Sequence, residues 1–386
     1  MNCCEVVPVR WKGRSAVRLS NRSIEIVVLL GGGHIADFRP CGAQQNTLFE
    51  SPWETIEPQE FSPQLHASRY GDGPVGRLLS GYTGHALALG YFGMPGEGEA
   101  ANGLPLHGEA VAAEWHVIES CADDRRASLV LQVVLPAYRL RVRRGLYLSA
   151  GAASVKVEEH VTNMGEQRLD FQWVQHAAFG EPLLAAGDSR LFVSVKQGRT
   201  WPLGYERREL LVSDCDFQWP LAPAIHGGLS DLSLPFQHDG TGFLASLLCE
   251  SNRPNGFIAA HNRRLNLVAG YVFDCRRFPW IALWEENRAR DYPPWNGITR
   301  ARGVEFGTSP MPLGLDHALR MRMLFDTPVF ATLEAGASTS TAYHLFTATV
   351  PNEWSMIEDV VEVSGTTLVL RGSGGDVLEV PASCAG

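Results

Sequence analysis

Short apolar runs alternating with polar positions recur along almost the whole chain, and helical spacing is never sustained for long. Residues 17–30, VRLSNRSIEIVVLL, split at Ser20, Asn21 and Arg22 into two runs, which predicts a hairpin. From Trp115 to Asn163 the segments WHVIES, ASLVLQVVLP, YRLRVRRGLYLS and ASVKVEEHVTN read as a β meander. One of them sets Leu140 and Val142 against Arg139, Arg141 and Arg143, the pattern of a sheet with one wet face. Strand character returns at 256–273, 278–297, 303–314 and 338–349, and 360–380 predicts a terminal hairpin. Residues 44–72 are polar and Pro-rich and predict a long, partly irregular excursion. Residues 76–93 predict strands and turns, and 191–256 loops over a sheet surface. Only 314–323, GLDHALRMRM, has helical spacing.

Within this pattern, 163–184 (NMGEQRLDFQWVQHAAFGEPLL) carries the first candidate chemistry. Leu169, Phe171 and Trp173 share one face of a strand, whereas Asp170, Gln172 and His176 share the other. The imidazole therefore lies among amides and carboxylates, where an isolated histidine is ordinarily a surface or hydrogen-bonded group. His107, in LPLHGE, is bracketed by Pro105 and Gly108 at a turn. In WIALWEEN an apolar run ends in Glu285 and Glu286. Glu285 falls with Ile281 and Leu283, and Glu286 with Trp280 and Trp284. A carboxylate at such a place is partly desolvated, which raises its pKa and suits a general base; either glutamate could serve.

Composition narrows the choices. A formal charge of −9, with no basic run longer than a pair, argues against nucleic acid and anionic membrane as partners. No stretch approaches the length of an apolar membrane helix, and the first residues lack the apolar core of a secretory signal. The eight cysteines show no CxxC or zinc spacing, so free thiols in a reducing cytoplasm are expected. Gly31, Gly32 and Gly33 lack the Gly-Lys-Ser/Thr of a phosphate loop and predict a tight turn. Two histidines and a glutamate form a ligand set that zinc or non-haem iron accepts, but compact His-x-His or His-x-x-x-His pairing is absent. No metal and no cofactor are expected. No Gly-x-Ser-x-Gly elbow supports a serine hydrolase.

The motif order resembles that of the aldose 1-epimerase, or galactose mutarotase-like, superfamily in a divergent branch. The resemblance rests on LSNRSIEIVVLLGGGHIADFR, GRLLSG, LPLHGE, VTNMGEQRLDFQWVQHAAFG, WEEN and LEAGASTSTAYHLF, which together span nearly the whole chain. It implies an all-β fold: a galactose mutarotase-like β-supersandwich of large, mostly antiparallel sheets with a concave sugar cleft. One domain would cover 1–386, with a hairpin tail at about 356–386. Carried over, His176 is the general acid, Glu285 the general base, and His107 holds the sugar and orients or protonates the ring oxygen. Arg77, Gln175, Trp284, Asn287 and Trp295 would bind substrate. The implied activity is interconversion of the α and β anomers of an aldose without a cofactor, by a cytoplasmic monomer or homodimer. A carbohydrate-binding protein without turnover and a hexose-phosphate epimerase are the alternatives. Asn287 stands where the galactose enzymes carry Gln, Trp284 where they carry Leu, and Gly76 where Asn precedes the binding arginine.

Overall fold

The computed structural model describes residues 3–253, 255–351 and 353–385. Two large sheets, of 14 and 8 strands, are built almost wholly from antiparallel pairs and enclose one continuous apolar core. The alternation in the sequence is the reason. Along the histidine strand, Leu169–Gly180, the side chains of Phe171, Trp173, Ala177 and Phe179 enter the core between the sheets. Those of Val174, His176 and Ala178 point the other way.

Three further strands of the larger sheet matter for the site. His85–Gly90 pairs with one edge of the histidine strand, and the carboxylate strand, Arg300–Gly307, pairs with the other. The tryptophan strand, Trp280–Asn287, follows beside the carboxylate strand. The meander reads through into the smaller sheet, where His116–Ala122, Arg126–Leu135, Leu140–Ser149 and Ser154–Asn163 are consecutive neighbours.

A polar lock sits between the sheets. Arg144 and Glu159, both fully buried, pair at 2.7 Å, and Trp173 Nε1 and Gln175 Nε2 donate to the second oxygen of Glu159. The Gln175 carbonyl oxygen accepts from His85 Nε2 and the Tyr343 hydroxyl. A buried ion pair needs such extra partners, because its desolvation offsets much of the Coulomb attraction.

Several expectations are corrected in detail. The ordered part of 44–72 is a helix, Pro63–Tyr70, and a second helix follows at Gly73–Leu79, where the pattern predicts strands and turns from Gly76 on; Asp72 starts it by accepting from the Gly73 N–H. Arg77 therefore lies on a helix rather than in a strand or turn. The stretch 191–256 carries strands as well as loops, Val195–Thr200 and Thr241–Cys249 among them. The terminal element is a three-stranded sheet, Ile357–Val363, Thr367–Gly372 and Val377–Pro381, rather than a hairpin. Its inner face packs through Val360, Leu368 and Leu370 against Phe257 and Val272 of the smaller sheet.

The excursion covers the outer face of the larger sheet. Arg14, buried, donates to the carbonyls of Gly31 and Gly81, and the Ser15 N–H donates to Glu57. These bonds fasten the loop to the first strands. Phe49, Leu78, Leu79 and Tyr82 then form a second apolar cluster with Trp284 and Trp295. The cavity lies beneath that roof.

Candidate active site

The register that pairs Gln175 with Phe306 and Ala178 with Gly303 sets His176 opposite Glu305 on the neighbouring strand. His176 Nε2 lies 3.4 Å from Glu305 Oε1, and both residues are buried in the floor of a cavity of about 370 Å³. That volume is in the range of small-molecule sites. The other carboxyl oxygen, Glu305 Oε2, is buried with no hydrogen-bond partner in the protein.

Gly303, two residues earlier on the same face, gives the carboxyl its room. A methyl group at 303 would overlap Glu305 Oε1 and lie 3.1 Å from Trp284 Cε3.

Burial dominates the protonation of the pair. It pulls His176 down to about 4 and pushes Glu305 well above the ordinary carboxyl range. With both charged forms disfavoured, the shared proton resides on Glu305 and the imidazole is neutral. At the far side of the ring, Nδ1 meets the Tyr82 hydroxyl at 3.4 Å. With the proton on Glu305, the nitrogen that faces it, Nε2, is the acceptor, and the ring hydrogen of the neutral imidazole sits on Nδ1.

His107 completes the floor, its ring centre 4.6 Å from that of His176. It has φ 71°, a conformation that side-chain-bearing residues rarely adopt. A two-point clasp holds it there. The His107 N–H donates to the Gly93 carbonyl at 3.0 Å, and the Gly93 N–H donates to His107 Nδ1 at 3.1 Å. Because Nδ1 accepts, the neutral ring carries its hydrogen on Nε2 and keeps a donor. Burial lowers this imidazole well below its usual pKa as well.

The walls and rim come from the tryptophan strand and the loop after it. Trp284 Nε1 donates to Tyr205 Oη, whose hydroxyl donates to Glu286. Glu286 also accepts from the backbone N–H groups of Ala289 and Arg290. These bonds place the Arg290 guanidinium 4.8 Å from the ring centres of both Tyr205 and Trp295. At the exposed rim Arg290 meets Glu206, which accepts from the Tyr292 hydroxyl.

The structure thus brings His107, His176, Trp284 and Trp295 to one cavity and leaves the other sequence candidates outside it. Glu285 points into the interior, paired with Arg302 directly across the strands and accepting from the Phe236 N–H at 2.9 Å. Gln175 belongs to the polar lock. Arg77 donates to the Gly103 carbonyl, and Asn287 is held between the His238 carbonyl and Arg300. Glu305, Tyr82 and Arg290 were not singled out from sequence; a lone acid in the run Gly303–Glu305–Gly307 is the signal that marks the first. A more polar groove of about 410 Å³, bordered by Lys156, Arg276, His344 and Glu362, opens on the smaller sheet, and there His344 Nε2 lies 3.5 Å from Glu362 Oε1, a carboxyl group that is partly exposed rather than buried. Among the described residues, no three His, Cys, Asp or Glu side chains gather as a metal-binding group. No described helix is long and apolar enough to cross a membrane.

Searches of sequence-family models and of curated proteins return no match to this chain. Solved structures do match. A proposed aldose 1-epimerase from Klebsiella pneumoniae superposes with a TM-score of 0.61 at 16% identity, over 87% of this chain and 79% of that one. A galactose mutarotase-like protein from Clostridium acetobutylicum gives 0.58 at 12% identity, over 90% and 98%. The chain has the galactose mutarotase-like fold. A galactose mutarotase related enzyme from Lactobacillus acidophilus, at 12% identity and a TM-score of 0.53, covers 87% of this mutarotase-like chain and 98% of its own. At such identities the likeness is one of fold, and chemistry must be argued from the site.

Proposed function

We propose that this protein interconverts the anomers of an aldose, with His176 and Glu305 as the proton-exchanging pair. The observation that carries the reading is the Glu305 carboxyl on the floor of a sugar-sized cavity, with Oε1 3.4 Å from His176 Nε2 and Oε2 without a partner. In a pyranose the anomeric hydroxyl and the ring oxygen are bonded to the same carbon. Acid and base must therefore stand side by side, as these two do, rather than on opposite walls.

His176 Nε2 takes the proton of the anomeric hydroxyl while Glu305 gives its proton to the ring oxygen. The C1–O5 bond breaks as the C1–O1 double bond forms. Rotation about C1–C2 then presents the other face of the carbonyl, and the reverse transfers close the ring. The pair ends with one proton, as it began. His107 Nε2–H supplies a fixed donor to a sugar oxygen. A neutral pair sharing one proton suits this exchange, because neither partner must first be charged in a dry site.

Exchange between the anomeric protons of several aldoses, read by NMR saturation transfer, tests the reading. Acceleration by the wild-type protein that is lost in Glu305→Gln supports it, and a wild-type rate equal to buffer for every sugar refutes it.

A further inference from the structure

Resting on the reading of His176 as the base, we infer that Tyr82 is a positioning residue. Its hydroxyl accepts from His176 Nδ1–H and so keeps the lone pair on Nε2, the nitrogen beside Glu305. A neutral imidazole is a base only through the nitrogen that lacks the hydrogen, and the partners at its two ends decide which nitrogen that is. Among the described residues His176 has one side-chain hydrogen-bonding group at each end, Glu305 at Nε2 and the Tyr82 hydroxyl at Nδ1, both at 3.4 Å. Phe92 and His107 meet it ring to ring, with centres 6.3 and 4.6 Å away, and fix its plane without choosing between the nitrogens. The Tyr82 ring stands at 88° to the imidazole with centres 5.3 Å apart. Among the described residues its hydroxyl has His176 Nδ1 as its one hydrogen-bond partner.

The chain around Tyr82 holds the phenol in place. Arg14 donates to the Gly81 carbonyl at 2.7 Å, Ser51 Oγ donates to the Tyr82 carbonyl, and the Gly84 N–H donates to the Phe49 carbonyl at 2.7 Å. Phe49 packs on the Tyr82 ring with centres 5.7 Å apart, and the tyrosine is 2% exposed. Burial also keeps both partners uncharged, raising Tyr82 well above the ordinary phenol range and lowering His176 to about 4. The contact is thus a hydrogen bond between neutral groups. Without the phenol oxygen, Nδ1–H would be buried with no side-chain acceptor, which is costly. The ring escapes that cost by carrying its hydrogen on Nε2 instead, where Glu305 Oε1 accepts it while the carboxyl hydrogen sits on Oε2. In that form Nε2 is a donor and cannot take the proton of an anomeric hydroxyl. The covering excursion, which carries Tyr82, therefore sets the state of a base on the sheet beneath it.

The test reads the hydrogen directly. The full-length protein is labelled with 15N in its histidines, and two-bond 1H–15N correlations are recorded near neutral pH, with His176 assigned by the signals lost in His176→Asn. The wild type should carry its hydrogen on Nδ1 and show a bare Nε2. Tyr82→Phe removes the acceptor, and a second variant with 4-fluorophenylalanine at position 82 does so while filling the space of the hydroxyl. In both, hydrogen should appear on Nε2, and kcat for anomer exchange should fall by about 3- to 10-fold, the worth of one neutral hydrogen bond, with KM held. A purely structural role would lower the melting temperature and leave the hydrogen on Nδ1. Hydrogen on Nε2 in the wild type, an unmoved hydrogen in a folded variant, or an unchanged kcat overturns the inference. If the wild type turns over no sugar, the isomerase reading fails on its own. The spectra then decide alone: a hydrogen that moves with the phenol oxygen supports the inference, and one that stays overturns it.

Discussion

Glu305 and Glu285 lie three strand positions apart in register yet face opposite sides of one sheet. Glu305 stands across from Ala282 and opens to the cavity, whereas Glu285 stands across from Arg302 and is sealed against it. Two carboxyl groups on adjacent strands therefore have different work. One keeps an oxygen without a partner, and the other is committed to a guanidinium and a backbone N–H.

Substitution should separate them. Glu305→Gln and His176→Asn are each expected to lower anomer exchange by about two to four powers of ten with the fold retained, the usual worth of acid–base catalysis. Stopped polarimetry on a fresh α-anomer measures this, and full activity in either variant would remove that residue from the chemistry.

Glu285→Ala should instead act on stability. Removing one partner of a buried ion pair leaves Arg302 uncompensated and costs about 3–5 kcal/mol. Urea unfolding should show the loss, and Glu285→Met with Arg302→Leu together should recover much of it. A stable single variant with normal unfolding would contradict the assignment of the pair.

Gly303→Ala probes space rather than charge. Its methyl group would displace the Glu305 carboxyl and press on Trp284. Misplacing a reacting group by about 1 Å lowers turnover on the order of a hundredfold. Turnover falling while the melting temperature holds is the expected pattern; unchanged turnover would show that the carboxyl does not need this position.

The pH dependence of stability has opposing parts. His176 is lowered to about 4 and His85 to about 3 from an ordinary 6.5, and His34 and His107 are lowered as well, all chiefly by burial. Below 6.5 the unfolded chain binds protons that the folded chain refuses. Stability is complete above that value and is lost as pH falls toward the folded values, by up to about 1.4 kcal/mol per ring per pH unit. Glu305 works the other way. Its folded pKa is raised, so above an ordinary 4.5 the unfolded carboxyl ionises while the folded one does not, and stability declines with rising pH until the folded group also ionises. Urea midpoints should drop from about pH 7 to about pH 5, and Glu305→Gln should raise the midpoint at neutral pH. A midpoint flat over that range would speak against neutral buried imidazoles.

Much of this was legible in the sequence because period-two alternation survives burial on one side. FQWVQH separates Gln175 from His176, and LWEEN separates Glu285 from Glu286, as the structure does. What alternation does not say is which face meets the ligand. The cavity face of the larger sheet is itself covered by the 44–82 excursion, so Val174, Ala178 and Trp284 look as apolar there as the core does. Carrying the base to Glu285 followed the order of motifs along the chain rather than this geometry. Glu305 was hidden for the same reason. On a strand buried on both sides the acid stands among apolar and glycine positions, and Gly303 and Gly307 make room for the acid and for the adjoining strand.

The polar lock between the sheets also acts as an alignment gauge for the proton-handling residues. A slip of one position in Leu169–Gly180 would carry His176 into the place of Gln175, beside Glu159 and His85, and expel the amide that these groups require. Chains assembled out of step are thereby penalised at the centre of the molecule. The imidazole is delivered to the cavity by errors refused one residue away.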